Sequence, residues 1–147
     1  MFKPLFDISA TLAPVVSLGP AQTGERRMIA ITGGTVSGRI DGAILEGGAD
    51  WQTVRPDGLA DIDARYLLRT HDGAVIEVWS RGLRHGPPEV MRKLIAGEPV
   101  DPSLYYFRTA MRFECAAPAL QWLPRVLAVG IGERRPDAVI IKVFEVL

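Results

Sequence analysis

Cysteine is almost absent from this chain of 147 residues, where Cys115 stands alone and cannot close an intrachain disulfide. Histidine is nearly as scarce, with only His71 and His85. These soft ligands show neither Cys-x-x-Cys nor His-x-x-x-His spacing, so no structural metal is expected. An excess of charge is lacking too, since 17 Lys+Arg meet 17 Asp+Glu. A neutral chain has no long-range field to draw it to nucleic acid or an anionic membrane, and neither is expected as a partner. No apolar run approaches the roughly 18 residues of a membrane span. The opening residues, MFKPLFDIS, have no apolar signal core or small-residue cleavage site, so a cytoplasmic location is expected.

What the chain does have is core-forming material, with 48% hydrophobic residues interspersed with charge, which excludes a disordered chain and suits a single domain over residues 1–147. Of its basic residues only Lys3, Lys93 and Lys142 are lysine, an arginine excess we read as genome composition rather than as a device for binding anions.

The hydropathy pattern is that of an all-β protein. Leu5 to Leu12 alternates Phe6, Ile8, Ala10 and Leu12 with polar neighbours, as a half-buried strand does. Pro14 to Gly24 reads as a loop, Arg26 to Thr32 as a strand broken at Gly33-Gly34, and Thr35 to Ile40 and Ala43 to Leu45 as a short hairpin around Asp41-Gly42. Ala60 to Thr70 and Ala74 to Arg81 form another hairpin across His71-Asp72-Gly73. The longest alternation is Tyr105 to Cys115, and Val126 to Ile131 and Ala138 to Leu147 complete the set. About eight to ten strands suffice to close an antiparallel β-barrel with a small interior. One helix is expected, at about residues 88–96: Pro87-Pro88 suits its start, Glu89 its positive end, and Gly97 and Pro99 its stop. At about two turns it must pack on the sheet, and a barrel mouth is the natural place.

Several mechanisms lack their residues. There is no Gly-x-Ser-x-Gly elbow, and Cys115 ends an apolar strand face as an ordinary buried thiol does. Gly33 to Gly38 has no P-loop lysine, and Gly130-Ile131-Gly132 lacks the third glycine of a dinucleotide fingerprint, so these glycines read as strand bends and no cofactor is expected. Asp57 to Asp63 carries carboxylates without the spacing or terminal Glu of a calcium loop.

Six motifs occur in order: Ile31-Thr32-Gly33-Gly34 with Gly38, Gly47-Gly48-Ala49-Asp50-Trp51-Gln52, Asp72-Gly73-Ala74, Tyr105-Tyr106-Phe107-Arg108-Thr109, Phe113-Glu114 and Trp122-Leu123. Together they make the chain, from Leu5 to Val146, resemble the bacterial and fungal domain of unknown function 3237 family, also called uncharacterised protein family 0311. Pro124 departs from the pattern in one turn. The resemblance implies a compact antiparallel β-barrel and no particular reaction, and fold alone does not settle function.

The candidate site residues come from strand faces. In the long strand Tyr106, Arg108, Arg112 and Glu114 project to one side, and Glu77, Trp79 and Arg81 share a side of the neighbouring hairpin. Turned inward, Arg108 would clamp a carboxylate or enolate, Glu114 or Glu77 would transfer a proton, and Tyr106 would donate a hydrogen bond. Alternation alone favours the opposite arrangement, with Tyr105, Phe107, Met111 and Phe113 in the core. Asp50-Trp51-Gln52, in an expected strand-end loop after Gly47-Gly48, is a second candidate that would place a carboxylate and an indole at a barrel mouth. The leading expectation is therefore a small-molecule-binding barrel, with cofactor-independent acid/base chemistry on an apolar carbonyl or carboxylate compound. Arg108, Glu114, Asp50 and Tyr106 would be catalytic, and Trp51, Glu77 and Trp79 would contact the substrate. The competing expectation is a non-catalytic structural or interaction module that acts as a homodimer through exposed sheet edges or the stripe around Met91 and Leu94.

Overall fold

In the computed structural model of the protein, which describes residues 1–147, the period-two segments resolve into ten strands. β1 (Phe2–Leu12), β2 (Val16–Ala21), β3 (Gly24–Gly38), β4 (Gly42–Ile44), β5 (Gly48–Val54), β6 (Ala60–Thr70) and β7 (Val75–His85) precede helix α1 (Pro88–Ile95). β8 (Tyr106–Cys115), β9 (Ala128–Arg134) and β10 (Ala138–Val146) follow it. The antiparallel sheet runs β1-β10-β9-β8-β7-β6, passes through β4 and β5, which share the place between β6 and β3, and closes where β3 pairs with β1. The result is a closed barrel of eight strand positions, with β2 attached to β3 outside the ring. Closure satisfies the ladder groups that open edges would leave unpaired.

Three local expectations are corrected. Gly33-Gly34 does not end a strand: β3 continues through it, pairing with β2 and β5 before the glycines and with β1 and β4 around and after them. Gly34 has φ 137°, and a Cβ there would stand 2.0 Å from the Ser9 carbonyl oxygen, so only glycine lets the strand turn this corner. The Pro14 to Gly24 loop contains β2, whose Val16 and Leu18 are exposed and so carry no buried face to announce it. The segment after Gly47-Gly48 is β5 rather than a loop, and its Asp50 and Gln52 face the interior, so a polar inward face masked the strand.

The main core joins Phe6, Ile8, Leu68, Val78, Met111 and Phe113, with the Phe6 and Phe113 rings edge-on at 5.7 Å. β8 buries Phe107, Thr109, Met111 and Phe113, which sends Tyr106, Arg108, Arg112 and Glu114 to the outside. A second cluster forms where Val90 and Leu94 of α1 pack on Ile62, Tyr105 and Phe107. The helix has Pro88 in its first turn and Glu89 at its positive end, and it covers one end of the barrel. No helix is long and apolar enough to cross a membrane.

Candidate functional site

Along several strands the inward side chains change from apolar to polar toward the α1 end. Ile31 and Ile29 on β3 are followed by Arg27, and Ile76 and Val78 on β7 by Ser80 and Arg84. β5 adds Asp50 and Gln52, and β9 ends in Arg134. Arg27 excepted, these polar groups line one cavity of about 40 Å3, together with Tyr66, Thr109, Ile62 and Phe107. Arg27 joins them through Gln52, whose side-chain oxygen accepts from Arg27 Nε at 3.2 Å and Nη2 at 2.8 Å.

Asp50 accepts from Gln52 Nε2 at 2.7 Å and from the Asp63 backbone N–H at 3.3 Å. The residue keeps some exposed surface, yet enough protein surrounds its carboxyl that burial pushes the pKa above the usual carboxylate range. The Gln52 hydrogen bond and the charges of Arg84 and Arg27 oppose that rise. Arg84 is 4% exposed, and burial, reinforced by the Arg27 charge, brings its pKa down to about 10, so it stays protonated at neutral pH. Its guanidinium lies 5.4 Å above the Phe107 ring, and its Nε has no protein partner. Tyr66 Oη, Ser80 Oγ and Thr109 Oγ1 are likewise buried without a protein partner. Burial holds the Tyr66 hydroxyl far above its ordinary pKa, and the Asp50 charge adds to this. Arg134 donates to the carbonyls of Arg135 and Ala138, and its backbone N–H donates to Tyr105 Oη at 2.9 Å.

Two glycines make this packing possible. A Cβ on Gly130 would stand 2.6 Å from Thr109 Oγ1, and one on Gly132 would stand 2.7 Å from the Phe107 ring. The Gly130-Ile131-Gly132 motif, read as a strand bend, thus makes room for interior side chains.

Of the residues assigned a site role by sequence, only Asp50 lies in the interior. Trp51, its neighbour in β5, points to the other side. Tyr106 is exposed and stacks on His85 at 5.0 Å, while Arg108 bonds the Phe107 carbonyl at 2.9 Å. Glu114 is exposed and sits opposite Glu77 in the ladder. The barrel wall therefore separates Arg108, Glu114 and Tyr106 from Asp50, and the inward clamp does not form. Trp51, Glu77 and Trp79 line an open groove of about 770 Å3 on the outer face. There Arg65 bonds Glu77 at 2.6 Å and lies 5.0 Å from the Trp79 ring.

Sequence reasoning missed Arg27, Tyr66, Ser80, Arg84 and Arg134, and gave Gln52, within the Asp50-Trp51-Gln52 candidate, no role. Strand parity carries the signal, because Arg27 shares the parity of Ile29 and Ile31, and Arg84 that of Ile76 and Val78. The arginine excess read as genome composition thus includes members built into the interior. Chemically, a cavity wall with one carboxylate, Asp50, beside the guanidiniums of Arg84 and Arg134 disfavours a metal cation and favours negative charge on a bound oxygen.

The chain resembles UPF0311 protein RPA1785 of Rhodopseudomonas palustris at 48% identity, with 99% of this chain and 95% of that protein covered. The crystal structure of RPA1785, a conserved protein of unknown function, superposes with a TM-score of 0.95 and covers 100% of this chain and 97% of that one. A β-barrel-like protein from Acinetobacter baumannii is 46% identical, covers 99% of this chain and 94% of its own, and has a TM-score of 0.87. An enzyme from Penicillium herquei, 22% identical with a TM-score of 0.72 over 97% of this chain and 93% of its own, shares the fold. Residues 1–146 match the model of the protein family of unknown function DUF3237, and the chain belongs to that family.

Proposed function

We propose that the protein binds a small organic molecule bearing a carbonyl or carboxylate at the polar end of its barrel and moves a proton on it without a cofactor, Asp50 being the acid or base. One observation carries this reading: Tyr66 Oη, Ser80 Oγ, Arg84 Nε and Thr109 Oγ1 are buried without protein partners on the wall of a single cavity. Folded proteins pair the large majority of buried side-chain polar atoms, so four unpaired together mark a place built to contact something else. A carboxyl whose pKa burial holds above the usual carboxylate range suits proton transfer. Arg84 beside it would stabilise negative charge developing on a substrate oxygen. Ile29, Ile62 and Phe107 supply an apolar wall for the rest of the molecule. The fungal neighbour described as an enzyme supports only the point that this fold hosts catalysis.

Exchange of protons α to a carbonyl into D2O, followed by NMR with levulinate and phenylacetone as probes, tests the reading. The protein should accelerate exchange of at least one probe, and Asp50→Asn should lower that rate by about 100-fold. Exchange no faster than in buffer, or equal in the variant, would count against acid/base chemistry.

Self-association is a second reading with its own observation: β2 pairs only with β3 and exposes Val16 and Leu18 beside its free edge. Light scattering after size exclusion should then give a dimer that Leu18→Lys dissociates. A wild-type monomer would remove this reading.

A further inference from the structure

We infer that the group recognised inside the barrel is an anion, a monocarboxylate seated against Arg84. The inference rests on the reading above that this cavity binds a small organic molecule, and it decides between a neutral carbonyl and a charged head.

The cavity charges are unequal, since Asp50 is the only carboxylate on its wall beside Arg84 and Arg134, while Glu25 and Asp137 act on Arg27 and Arg134 from outside the lining. Two of these guanidiniums are already engaged by uncharged acceptors, Arg27 by Gln52 and Arg134 by the carbonyls of Arg135 and Ala138. Both Asp50 oxygens are also engaged, by Gln52 and by the Asp63 backbone. Arg84 stands apart from all of these. It is among the most buried charged residues of the protein, enters none of the ion pairs, and rests on the Phe107 face with Nε unpartnered. Asp50 acts on Arg84 through its charge but makes no ion pair with it, so the buried guanidinium is only partly compensated, and a ligand anion completes that compensation where a neutral carbonyl does not.

Carboxylate is the anion that fits. The planar guanidinium edge offers parallel donors matched to two carboxylate oxygens. Ser80 Oγ and Thr109 Oγ1, on adjacent strands of the same cavity, each carry a hydroxyl proton that no protein acceptor takes. The cavity's volume of about 40 Å3 limits what is held against Arg84 to a small head group, as a carboxylate is. An anion next to Asp50 also raises the tendency of that carboxyl to hold its proton, so binding should draw a proton from solution.

Calorimetric titration of the wild-type protein with acetate, propionate and benzoate, each against its own amide at fixed ionic strength, tests the inference. At least one acid should bind 10-fold or more tightly than its amide, with proton uptake seen as a dependence of the heat on buffer ionisation enthalpy. Arg84→Gln should abolish the preference, and Arg108→Gln, outside the barrel, should keep it. Should Arg84→Gln fail to fold, Thr109→Val should still weaken the acid several-fold and leave the amide unchanged. Equal binding of acid and amide, a preference that survives Arg84→Gln, or no acid binding at millimolar concentration would each overturn the inference. Amide binding without acid preference would leave the pocket reading standing. An acid preference without catalysed α-proton exchange would leave the anion site and remove the acid/base reading.

Discussion

Gln52 donates its amide N–H to Asp50 at 2.7 Å, and only one orientation of the amide allows it. Arg27 has donors alone, so the Gln52 oxygen must face Arg27 and the nitrogen must face Asp50. The chain of contacts fixes the carboxyl on which the proposed chemistry depends. Gln52→Leu keeps the volume but leaves Arg27 and Asp50 each short of a partner in a buried setting. We expect a loss of about 2–4 kcal/mol in urea unfolding, and wild-type stability in the variant would mean that the relay holds nothing in place.

The raised pKa of Asp50 makes a prediction about pH. The folded protein holds the Asp50 proton to higher pH than the unfolded chain does, so the native state binds more protons in the window between the ordinary carboxylate value and the raised one. Stability from this group is complete below that window and falls as pH rises through it. Asp50→Asn lacks the term, so its melting temperature should gain on wild type as pH goes from acid to neutral. Parallel curves from acid to neutral pH would contradict the burial account of Asp50.

Gly132 sets the height of Phe107 and, through it, of Arg84. Because a Cβ at Gly132 would stand 2.7 Å from ring atoms that are themselves buried, Gly132→Ala should cost about 1–3 kcal/mol through overpacking. Thermal unfolding is the measurement, and an unchanged melting temperature would show that the ring shifts freely. Carboxylate binding should weaken in the same variant, since Arg84 rests on that ring.

The outer face of β8 gives the opposite expectation. Arg108→Gln and Glu114→Gln should each change stability by no more than about 0.5 kcal/mol, as surface substitutions do. Both should leave α-proton exchange at the wild-type rate, and a large loss of exchange in either would return the site to the outside of the barrel.

Much of the barrel was legible because the long strands announce their buried side with apolar residues, as Phe107, Met111 and Phe113 do in β8. The candidate site was hidden by the same rule. β5 turns Asp50 and Gln52 inward, so the face that matters looks like a solvated loop, and Arg84 lies beyond the apolar part of β7. Asp50 was found for its place beside Gly47-Gly48 and Trp51, whereas Arg27, Arg84 and Arg134 converge only once the ring closes from distant segments. Closure fixes the distances between β3, β5, β7 and β9, and no local pattern contains it.

Binding inside the barrel, the central proposal, is tested directly by NMR. In 15N-labelled protein the Arg84 Nε–H reports on the interior, and the Trp51 and Trp79 indole N–H groups report on the outer groove. Titration with levulinate should shift the Arg84 signal saturably and leave both indoles where they are. Saturable shifts of the Trp51 and Trp79 indoles with Arg84 unmoved would place binding in the outer groove and contradict an interior site.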